Sequence, residues 1–175
     1  EVPLARRLQD EARFLKSWFD NPAVAGAIAP SGPALAAAMA EQVDPGIPGP
    51  VIELGPGTGP VTEALVGRGI DEGRLVLVEF DPEFCTLLAR RFPRARIVNG
   101  DAYALARTLR QALQHPAAAI VSSLPLLNRS EQDRVRLVEQ AFSLLAPGAP
   151  LIQFTYGITS PVPRGRVHMQ AEVFG

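Results

Sequence analysis

The segment Val-Ile-Glu-Leu-Gly-Pro-Gly-Thr-Gly, residues 51–59, constrains the fold of this chain more than any other part of the sequence. Its first four residues are typical of the end of a buried strand, and three glycines at every second position follow. Glycine permits a tight turn and a close approach of the backbone to a ligand. A helical pattern begins directly after Gly59, so the free N–H groups of that helix point toward the bend. The segment predicts a strand, a glycine bend and a helix that together bind a small molecule.

The residues around the glycines bear on which small molecule binds. A dinucleotide fingerprint has the spacing G-x-G-x-x-G and places the pyrophosphate at the helix N-terminus. This chain has G-x-G-x-G, with Pro60 where the helix starts and Glu53 two residues before the first glycine. A carboxylate at that place would repel a pyrophosphate, and it suits the positively charged ammonium and sulfonium groups of S-adenosylmethionine (SAM). The spacing alone does not decide between the two ligands, but the acid favours SAM.

Two further acidic residues follow the next two strands. The apolar run 74–78 predicts a buried parallel strand that ends at Glu79, and the strand 95–98 runs into Asp101. Ligands of open α/β sheets sit beyond the carboxyl ends of the strands. Glu79 would there accept hydrogen bonds from both ribose hydroxyls, unless it is only a solvated acid at a strand end. Asp101 would hold the adenine amino group or serve as a turn residue, and Asp81 is expected to cap the following helix.

These motifs resemble those of the Rossmann-like SAM-dependent methyltransferases over roughly residues 30 to 160. The resemblance implies an α/β fold with a mostly parallel sheet and helices on both faces. It implies that the glycines line the methionine part of SAM, that Glu53 supports its amine and that Glu79 binds the ribose. It also implies that Asp101 and the backbone of Ala102 read the adenine, while Phe80 packs on the adenine ring or belongs to the ordinary core. The residues expected to bind the cofactor are Ser31, Glu53, Gly55, Pro56, Gly57, Thr58, Gly59, Glu79, Phe80, Asp101, Ala102 and Ser122.

Strand and helix patterns alternate along most of the chain, which predicts a parallel sheet. The expected strands are 50–54, 74–79, 95–98, 117–121 and 150–156, and the expected helices are 3–19, 33–42, 60–67, 82–92, 103–113 and 130–145. We expect residues 1–31 to form a membrane-binding helix with a lid segment, and residues 32–175 to form the methyltransferase domain. A last strand at 166–174 would be one half of the closing hairpin usual in such enzymes, which suggests a truncated C-terminus.

Composition narrows the classes of function. The 175 residues include 17 basic and 18 acidic side chains, and this balance argues against a nucleic acid held by bulk charge. The single cysteine, Cys85, excludes an internal disulfide framework and fits a reducing compartment. Two histidines and one cysteine, widely spaced, offer no metal site. We therefore expect a cytoplasmic protein without metal or nucleic acid, and we expect it to be a monomer. No run reaches the roughly 18 apolar residues that span a bilayer, so we expect its membrane contact to be peripheral, on the inner face of the plasma membrane.

The N-terminal residues 3–19 predict an amphipathic helix. At about 100° per residue its apolar side chains share one stripe and its basic side chains share the opposite arc. This pattern is typical of a helix that lies in a membrane interface, and the alternative is a helix packed on its own domain. The residues expected to contact an anionic membrane are Leu4, Leu8, Arg13, Phe14, Leu15, Lys16, Trp18 and Phe19. Residues 20–31 are expected to act as a lid over SAM.

The segment after the fourth strand, residues 122–128, lies where an amine-methylating enzyme receives its nucleophile. The ribosomal-RNA adenine dimethyltransferases have Asn-Leu-Pro-Tyr at this place, and the aromatic ring stacks on the target base. This chain has Ser-Leu-Pro-Leu at 123–126 and so lacks both the asparagine and the aromatic residue. The difference counts against a planar base and leaves an apolar mouth suited to acyl chains, unless these leucines simply belong to the core.

With the basic N-terminal helix and this turn, the chain resembles the bacterial phospholipid N-methyltransferases of the peripheral-membrane type. The resemblance implies transfer of methyl groups from SAM to the amine of phosphatidylethanolamine, and to its partly methylated forms, towards phosphatidylcholine. The rivals are an rRNA adenine N6-dimethyltransferase-like enzyme, a soluble small-molecule or protein amine methyltransferase, and a membrane-binding module without activity. The candidate proton acceptors are Tyr103, Tyr156, His168, Ser122 and Ser123, the two serines through their backbone carbonyls. Arg164 and Arg166 would pair with the lipid phosphate or belong to a solvated loop.

Overall fold

Five parallel strands form the centre of the structure, a computed structural model that describes residues 32–155 and 160–162. The strands are β1 (Val51–Leu54), β2 (Leu75–Glu79), β3 (Arg96–Asn99), β4 (Ala119–Ser122) and β5 (Leu151–Gln153). The helices are α1 (Gly32–Glu41), α2 (Pro60–Gly67), α3 (Pro82–Arg91), α4 (Leu105–Thr108) and α5 (Glu131–Leu144). Short 3₁₀ turns lie at Glu72–Arg74, Ala102–Ala104 and Leu126–Asn128.

The strand order is β3-β2-β1-β4-β5, with every pair parallel. The chain leaves β1 toward β2 on one side and later returns to the other side of β1 as β4. Leu54 is in register with Val78 of β2 and Ser122 of β4, so the carboxyl ends of these three strands lie level. A crevice is expected beyond those ends, where the strand order reverses. This topology confirms the Rossmann-like fold expected from the sequence.

Side-chain alternation along β1 divides the core into two layers. Val51 packs on one face with side chains of α1, α2 and α3, whereas Ile52 and Leu54 pack on the other face with α4 and α5. Helices thus cover both faces of the sheet, which explains why its strands are nearly continuous apolar runs. Glu53 has the same orientation as Val51, so it enters the layer formed by the first three helices.

Two elements are much shorter than the sequence predicts. The helix expected over 103–113 is reduced to a 3₁₀ turn and α4, where the Thr108 hydroxyl donates to the carbonyl oxygen of Asp101 at 2.8 Å. Side-chain bonds to the backbone compete in this way with regular helix. The strand expected over 150–156 ends at Gln153 because its neighbour β4 ends at Ser122, whose carbonyl accepts the last ladder bond from Phe154 N.

The structure leaves part of the sequence-based prediction untouched. The predicted helix 3–19, the lid 20–31 and the last strand 166–174 lie outside the described residues. Within the described ranges, no helix has the length and apolar character needed to cross a membrane.

Candidate functional site

The glycine bend after β1 has the conformation that the sequence predicts. Gly55, Gly57 and Gly59 have φ values of +68°, +57° and +93°, which are strained for residues with a Cβ. Gly55 N donates to the carbonyl of Val78 on β2 at 3.0 Å, and Gly59 N closes a turn onto Pro56 O at 2.9 Å. Helix α2 begins at Pro60, directly after the bend.

The third glycine serves the packing of α3 against the bend. An ideal Cβ on Gly59 would lie 2.7 Å from Cε2 of Phe92 and 3.2 Å from Cδ2 of Leu88. Arg91, in the last turn of α3, donates to the carbonyl of Thr58 and pairs with Glu63 at 2.9 Å. The sequence does not single out Arg91, because basic residues are common in the last turn of a helix, where they interact favourably with the helix dipole.

Glu79 at the end of β2 ties the bend to the sheet. It is buried, and its Oε2 accepts from Gly57 N at 3.0 Å while its Oε1 accepts from Phe80 N at 2.8 Å and Asp81 N at 3.0 Å. Burial raises the pKa of the Glu79 carboxyl, and these three backbone donors oppose the increase. A carboxylate has about four acceptor positions, so capacity remains for a ligand hydroxyl. Its role toward the ribose stays a prediction.

Glu53 on β1 is fully buried. The Thr62 hydroxyl of α2 donates to its Oε2 at 2.6 Å, whereas its Oε1 has no hydrogen-bond partner among the described residues. Burial raises the pKa of Glu53 to about 8, against the effect of Thr62 and with a smaller contribution from the charge of Glu79. An unpaired buried oxygen is costly, which makes Oε1 a candidate contact for a polar group of a ligand.

The segment Gly100–Ala102 continues the edge of the site beyond β3. Gly100 N donates to the carbonyl of Glu79 at 2.9 Å, and an ideal Cβ on Gly100 would meet Cγ2 of Thr108 at 2.6 Å. Asp101 accepts a hydrogen bond from Tyr103 N at 2.8 Å and so caps the 3₁₀ turn. This agrees with the expectation that Asp101 is a turn residue. Ala102 is buried beside it.

Phe80 is half-buried at the end of β2, next to the Asp81 carboxylate that caps α3 as expected. The Asn99 amide donates to the carbonyl of Phe80 at 2.9 Å and to that of Glu79 at 3.1 Å. Asn99 therefore fixes the backbone that carries both predicted cofactor residues. Apart from its place at a strand end, no local pattern marks Asn99 as a site residue.

Ser122 and Ser123 end β4 level with the glycine bend, and both are buried. Ser123 N donates to the carbonyl of Leu54 at 3.1 Å, directly before Gly55. The Ser122 hydroxyl accepts from Leu124 N at 3.4 Å, and its carbonyl already accepts from Phe154 N. The Ser122 carbonyl therefore already takes part in the strand ladder, and its role as a proton acceptor stays a prediction.

The turn after Ser123 has a mixed character. Leu124 and Leu126 are buried, as expected if they belong to the core, whereas Leu127 is 47% exposed. Gln153 at the end of β5 donates its amide to the carbonyl of Leu124 at 2.9 Å and holds the turn against the sheet. The sequence analysis missed Gln153, because no local pattern marks a contact across 29 residues.

Tyr103 and the residues outside the described part of the chain complete the list of predicted site residues. Tyr103 is half-buried on the turn after Asp101, with the guanidinium carbon of Arg129 4.1 Å from its ring centroid. Among the described residues, no group of three or more His, Cys, Asp or Glu side chains is arranged to hold a metal ion. The predicted residues outside the described part of the chain are Leu4, Leu8, Arg13, Phe14, Leu15, Lys16, Trp18, Phe19, Ser31, Tyr156, Arg164, Arg166 and His168.

Comparison with known proteins decides the family. The profile of a family described as a methyltransferase domain matches residues 51–148, more than half of the chain. The chain belongs to the SAM-dependent methyltransferases. This agrees with the strand, bend and acids described above, which all lie within the matched range.

Two curated relatives show how far the similarity of this methyltransferase extends. An ornithine lipid N-methyltransferase of Singulisphaera acidiphila is 32% identical over 154 residues, which cover 85% of this chain and 79% of the relative. The ribosomal RNA small subunit methyltransferase A of a Synechococcus species is 40% identical over 93 residues, 51% of this chain and 30% of that relative. The second similarity is confined to about half of the methyltransferase.

Solved structures share the fold. DesVI of Streptomyces venezuelae has a TM-score of 0.58 at 17% identity over 89% of this chain. SAM-bound CalS10, an amino pentose methyltransferase from Micromonospora echinaspora, has a TM-score of 0.55 at 19% identity over 90% of this chain. The chain spans 58% of the length of each of these two structures, and similarity at this level of identity shows the fold alone.

The residues of the site fit SAM as the cofactor of this methyltransferase. The unpaired Oε1 of Glu53 matches a ligand ammonium group, and the bend at Gly55–Gly59 offers backbone that side chains do not shield. Glu79 keeps acceptor capacity for ribose hydroxyls. The individual roles of these residues toward SAM remain predictions.

Proposed function

We propose that this methyltransferase transfers methyl groups from SAM to the amine of a membrane lipid, with phosphatidylethanolamine as the first candidate acceptor. The observation that carries the proposal is the turn after β4. Ser123 N donates to the carbonyl of Leu54 beside the glycine bend, and Ser123 and Leu126 stand where a base-methylating enzyme would have an asparagine and an aromatic residue. Such a turn suits an amine on an aliphatic head group better than a planar base.

When bound, SAM supplies a methyl group on a positively charged sulfonium. The head-group amine must arrive without its extra proton, because an ammonium has no lone pair. Positioning the neutral amine in line with the methyl group supplies much of such a rate. In this chain the buried Ser123 backbone and the Gln153 contact to Leu124 fix the turn that would hold the amine. Tyr156 and His168 stay candidate bases outside the described residues.

A lipid relative supports this class of acceptor and adds a second candidate. The similarity to an ornithine lipid N-methyltransferase covers 85% of the chain, so it extends well beyond the segments expected to bind SAM. An ornithine head group also carries an aliphatic amine, so the same turn would serve it. The exposed Leu127 gives the mouth of the site an apolar side chain of the kind that acyl chains contact.

Membrane contact is the second part of the proposal. The apolar stripe of residues 3–19 would insert into the interface, and its bases would meet anionic head groups. Residues 20–31 would then close over the cofactor. On this basis we infer a monomeric enzyme that is peripheral on the inner face of the plasma membrane.

RNA methylation is the rival with a specific observation in its favour, the 40% identity to ribosomal RNA small subunit methyltransferase A. That similarity covers 51% of the chain, and SAM-binding motifs are shared by both classes of enzyme. The turn at 123–126 differs at the two positions that would recognise a base, and the net charge of −1 gives no general attraction to RNA.

Transfer of labelled methyl groups tests the proposal. The protein is incubated with labelled SAM and, in separate reactions, with vesicles of phosphatidylethanolamine and anionic lipid, vesicles of ornithine lipid and anionic lipid, or ribosomal RNA. We expect label in the phosphatidylethanolamine fraction. Label in ornithine lipid alone would replace the acceptor within the same class, and label in RNA alone would overturn the proposal. The Gly57→Val variant, strained at its φ of +57°, is the inactive control.

A further inference from the structure

Glu53 and Thr62 form a polar pair inside an apolar layer. Both side chains have 0% exposure, and the Thr62 hydroxyl donates to Oε2 of Glu53 at 2.6 Å. The buried residues around them from α1 and α2 are apolar, among them Met39, Val61 and Leu65. The other oxygen of Glu53, Oε1, has no hydrogen-bond partner among the described residues.

Within residues 32–155 and 160–162, the charged groups near this pair do not neutralise Glu53. The titratable side chain that faces it from β2 is Glu79, another carboxyl, which disfavours the charge. The register neighbours of Glu53 on β2 and β4 are Leu77 and Val121. The acids of α1 and α2, Glu41 and Glu63, are exposed. A buried carboxyl with one neutral donor and a like charge nearby takes up a proton.

We propose that Thr62 is a positioning residue that holds one oxygen of Glu53 and leaves the other for the ammonium group of SAM, so that cofactor binding makes the Glu53 carboxyl release a proton. The O–H bond of the neutral carboxyl breaks and its proton passes to the solvent. The ammonium group keeps its protons and donates one N–H to the new carboxylate. The proposal rests on SAM as the cofactor and not on the lipid acceptor.

The Glu53 carboxyl is mostly neutral before a ligand binds, because burial raises its pKa to about 8, above pH 7. An ammonium group within about 4–6 Å favours the charged carboxylate and lowers that pKa. A ligand without the ammonium group offers no such gain and would bind with no release.

Calorimetry without lipid tests the proton step. Binding of S-adenosylhomocysteine is measured at pH 7 in two buffers of different ionisation enthalpy, and 5′-methylthioadenosine, which lacks the amino-acid part, is the matched ligand. We expect net proton release on binding of S-adenosylhomocysteine and none on binding of 5′-methylthioadenosine. No release with the first ligand, or equal release with both, would overturn the proposal. Neither result depends on which acceptor the enzyme methylates.

Variants assign the proton and the positioning role. Glu53→Gln should abolish the release. Thr62→Val removes a donor, the one that Glu53 has among the described residues, and so disfavours the charged carboxylate. Affinity for S-adenosylhomocysteine at pH 7 should therefore fall about tenfold and its pH profile should move to higher pH. Thr62→Ser should restore both, and Thr86→Val, which loses a hydroxyl bond to Pro82 O on α3, should change neither.

An unchanged release in Glu53→Gln would show that another group supplies the proton and would overturn the proposal. A Thr62→Val variant with the affinity and pH profile of the natural chain would overturn the positioning role. If Thr62→Val fails to fold, the comparison of the two ligands on the natural chain still decides the proton step.

Discussion

At the scale of single residues, the Glu79 carboxylate combines a structural role with the ribose-binding role that the resemblance implies. The sequence indicates an acid at a strand end and, by resemblance, a ribose ligand. The structure adds three backbone hydrogen bonds, one of them to Gly57 in the bend. The acid therefore shapes the cofactor site before any cofactor contacts it.

Replacing Glu79 should lower both stability and affinity. In Glu79→Gln an amide nitrogen takes the place of one acceptor oxygen and leaves at least one backbone N–H without a partner. We expect a loss of about 1–3 kcal/mol in the free energy of unfolding and at least a tenfold loss in S-adenosylhomocysteine affinity. Denaturant unfolding and calorimetry measure the two effects. Glu83→Gln, exposed on the first turn of α3, is the control, and a Glu79→Gln variant that matches it would refute this account.

The fully buried Glu53 should make stability without cofactor depend on pH. Because its pKa rises from 4.5 to about 8 on folding, the folded state holds a proton that the unfolded state has lost between those values. The free energy of unfolding should fall as pH rises through this window, by up to about 1.4 kcal/mol per pH unit. The raised pKa of Glu79 acts in the same direction.

Urea unfolding at pH 5.5, 6.5, 7.5 and 8.5 measures this dependence. Glu53→Gln cannot ionise, so its curve should be flatter and its stability relative to the natural chain should improve with pH. Parallel curves for the two proteins would show that Glu53 is charged in the folded state throughout.

Residues of the site differ in how well the sequence predicts them. The glycines, Glu53, Glu79 and Asp101 stand at strand ends within short motifs, and the fold brings those ends together. Three other side chains donate to backbone carbonyls that are distant in sequence: Arg91, Asn99 and Gln153. Every residue has a backbone carbonyl, so the sequence does not show which one will be the acceptor. Contacts of that kind require the structure.

At the scale of elements, the close packing of the bend on α3 depends on the missing side chain of Gly59. Gly59→Ala should lower the free energy of unfolding by at least about 1–2 kcal/mol, because its φ is +93° and the new Cβ would lie 2.7 Å from Phe92. Gly67→Ala at the end of α2 is the matched control, since its Cβ would meet no atom within 4 Å. Thermal unfolding separates the two variants, and equal melting temperatures would contradict the packing argument.

Residues 3–19 carry the prediction that most affects the choice of acceptor. In sedimentation with anionic vesicles, the Leu8→Glu, Phe19→Glu double variant should bind at least tenfold more weakly, because it puts two charges in the apolar stripe. A Gln9→Glu, Ser17→Glu double variant adds the same charges outside that stripe and should lose less. Equal binding by both variants would mean that charge alone, and not insertion, holds the chain to the vesicle.

Periodicity predicts the long elements better than the short ones. The expected strand 74–79 and the helix 60–67 match β2 and α2 closely, since burial on both faces or a glycine start marks them in the sequence. The expected helix 103–113 is cut short by the Thr108 hydroxyl, and the strand 150–156 by the length of its partner β4. A side-chain bond to the backbone sets the first limit and strand pairing sets the second, and periodicity shows neither.

At the scale of the whole molecule, the strand order brings the functional segments to one edge of the sheet. The bend after β1, the acid of β2 and the turn after β4 are neighbours because β2 and β4 flank β1 in parallel. Alternating strand and helix patterns in the sequence predict such a sheet. In the order β3-β2-β1-β4-β5 the direction reverses at β1, and ligands of such sheets usually bind at that point. No comparable rule predicts which acceptor the enzyme methylates, and that proposal depends on the single turn at 123–126.

SAM is expected to lie in this crevice with its methyl group directed to the turn after β4. A crystal structure of the chain with S-adenosylhomocysteine would locate the cofactor. We expect the ligand ammonium about 3 Å from Oε1 of Glu53, the ribose hydroxyls at Glu79 and the sulfur facing the backbone of Ser123. A ligand bound elsewhere, or one in the crevice with its amino-acid part turned away from Glu53, would contradict it.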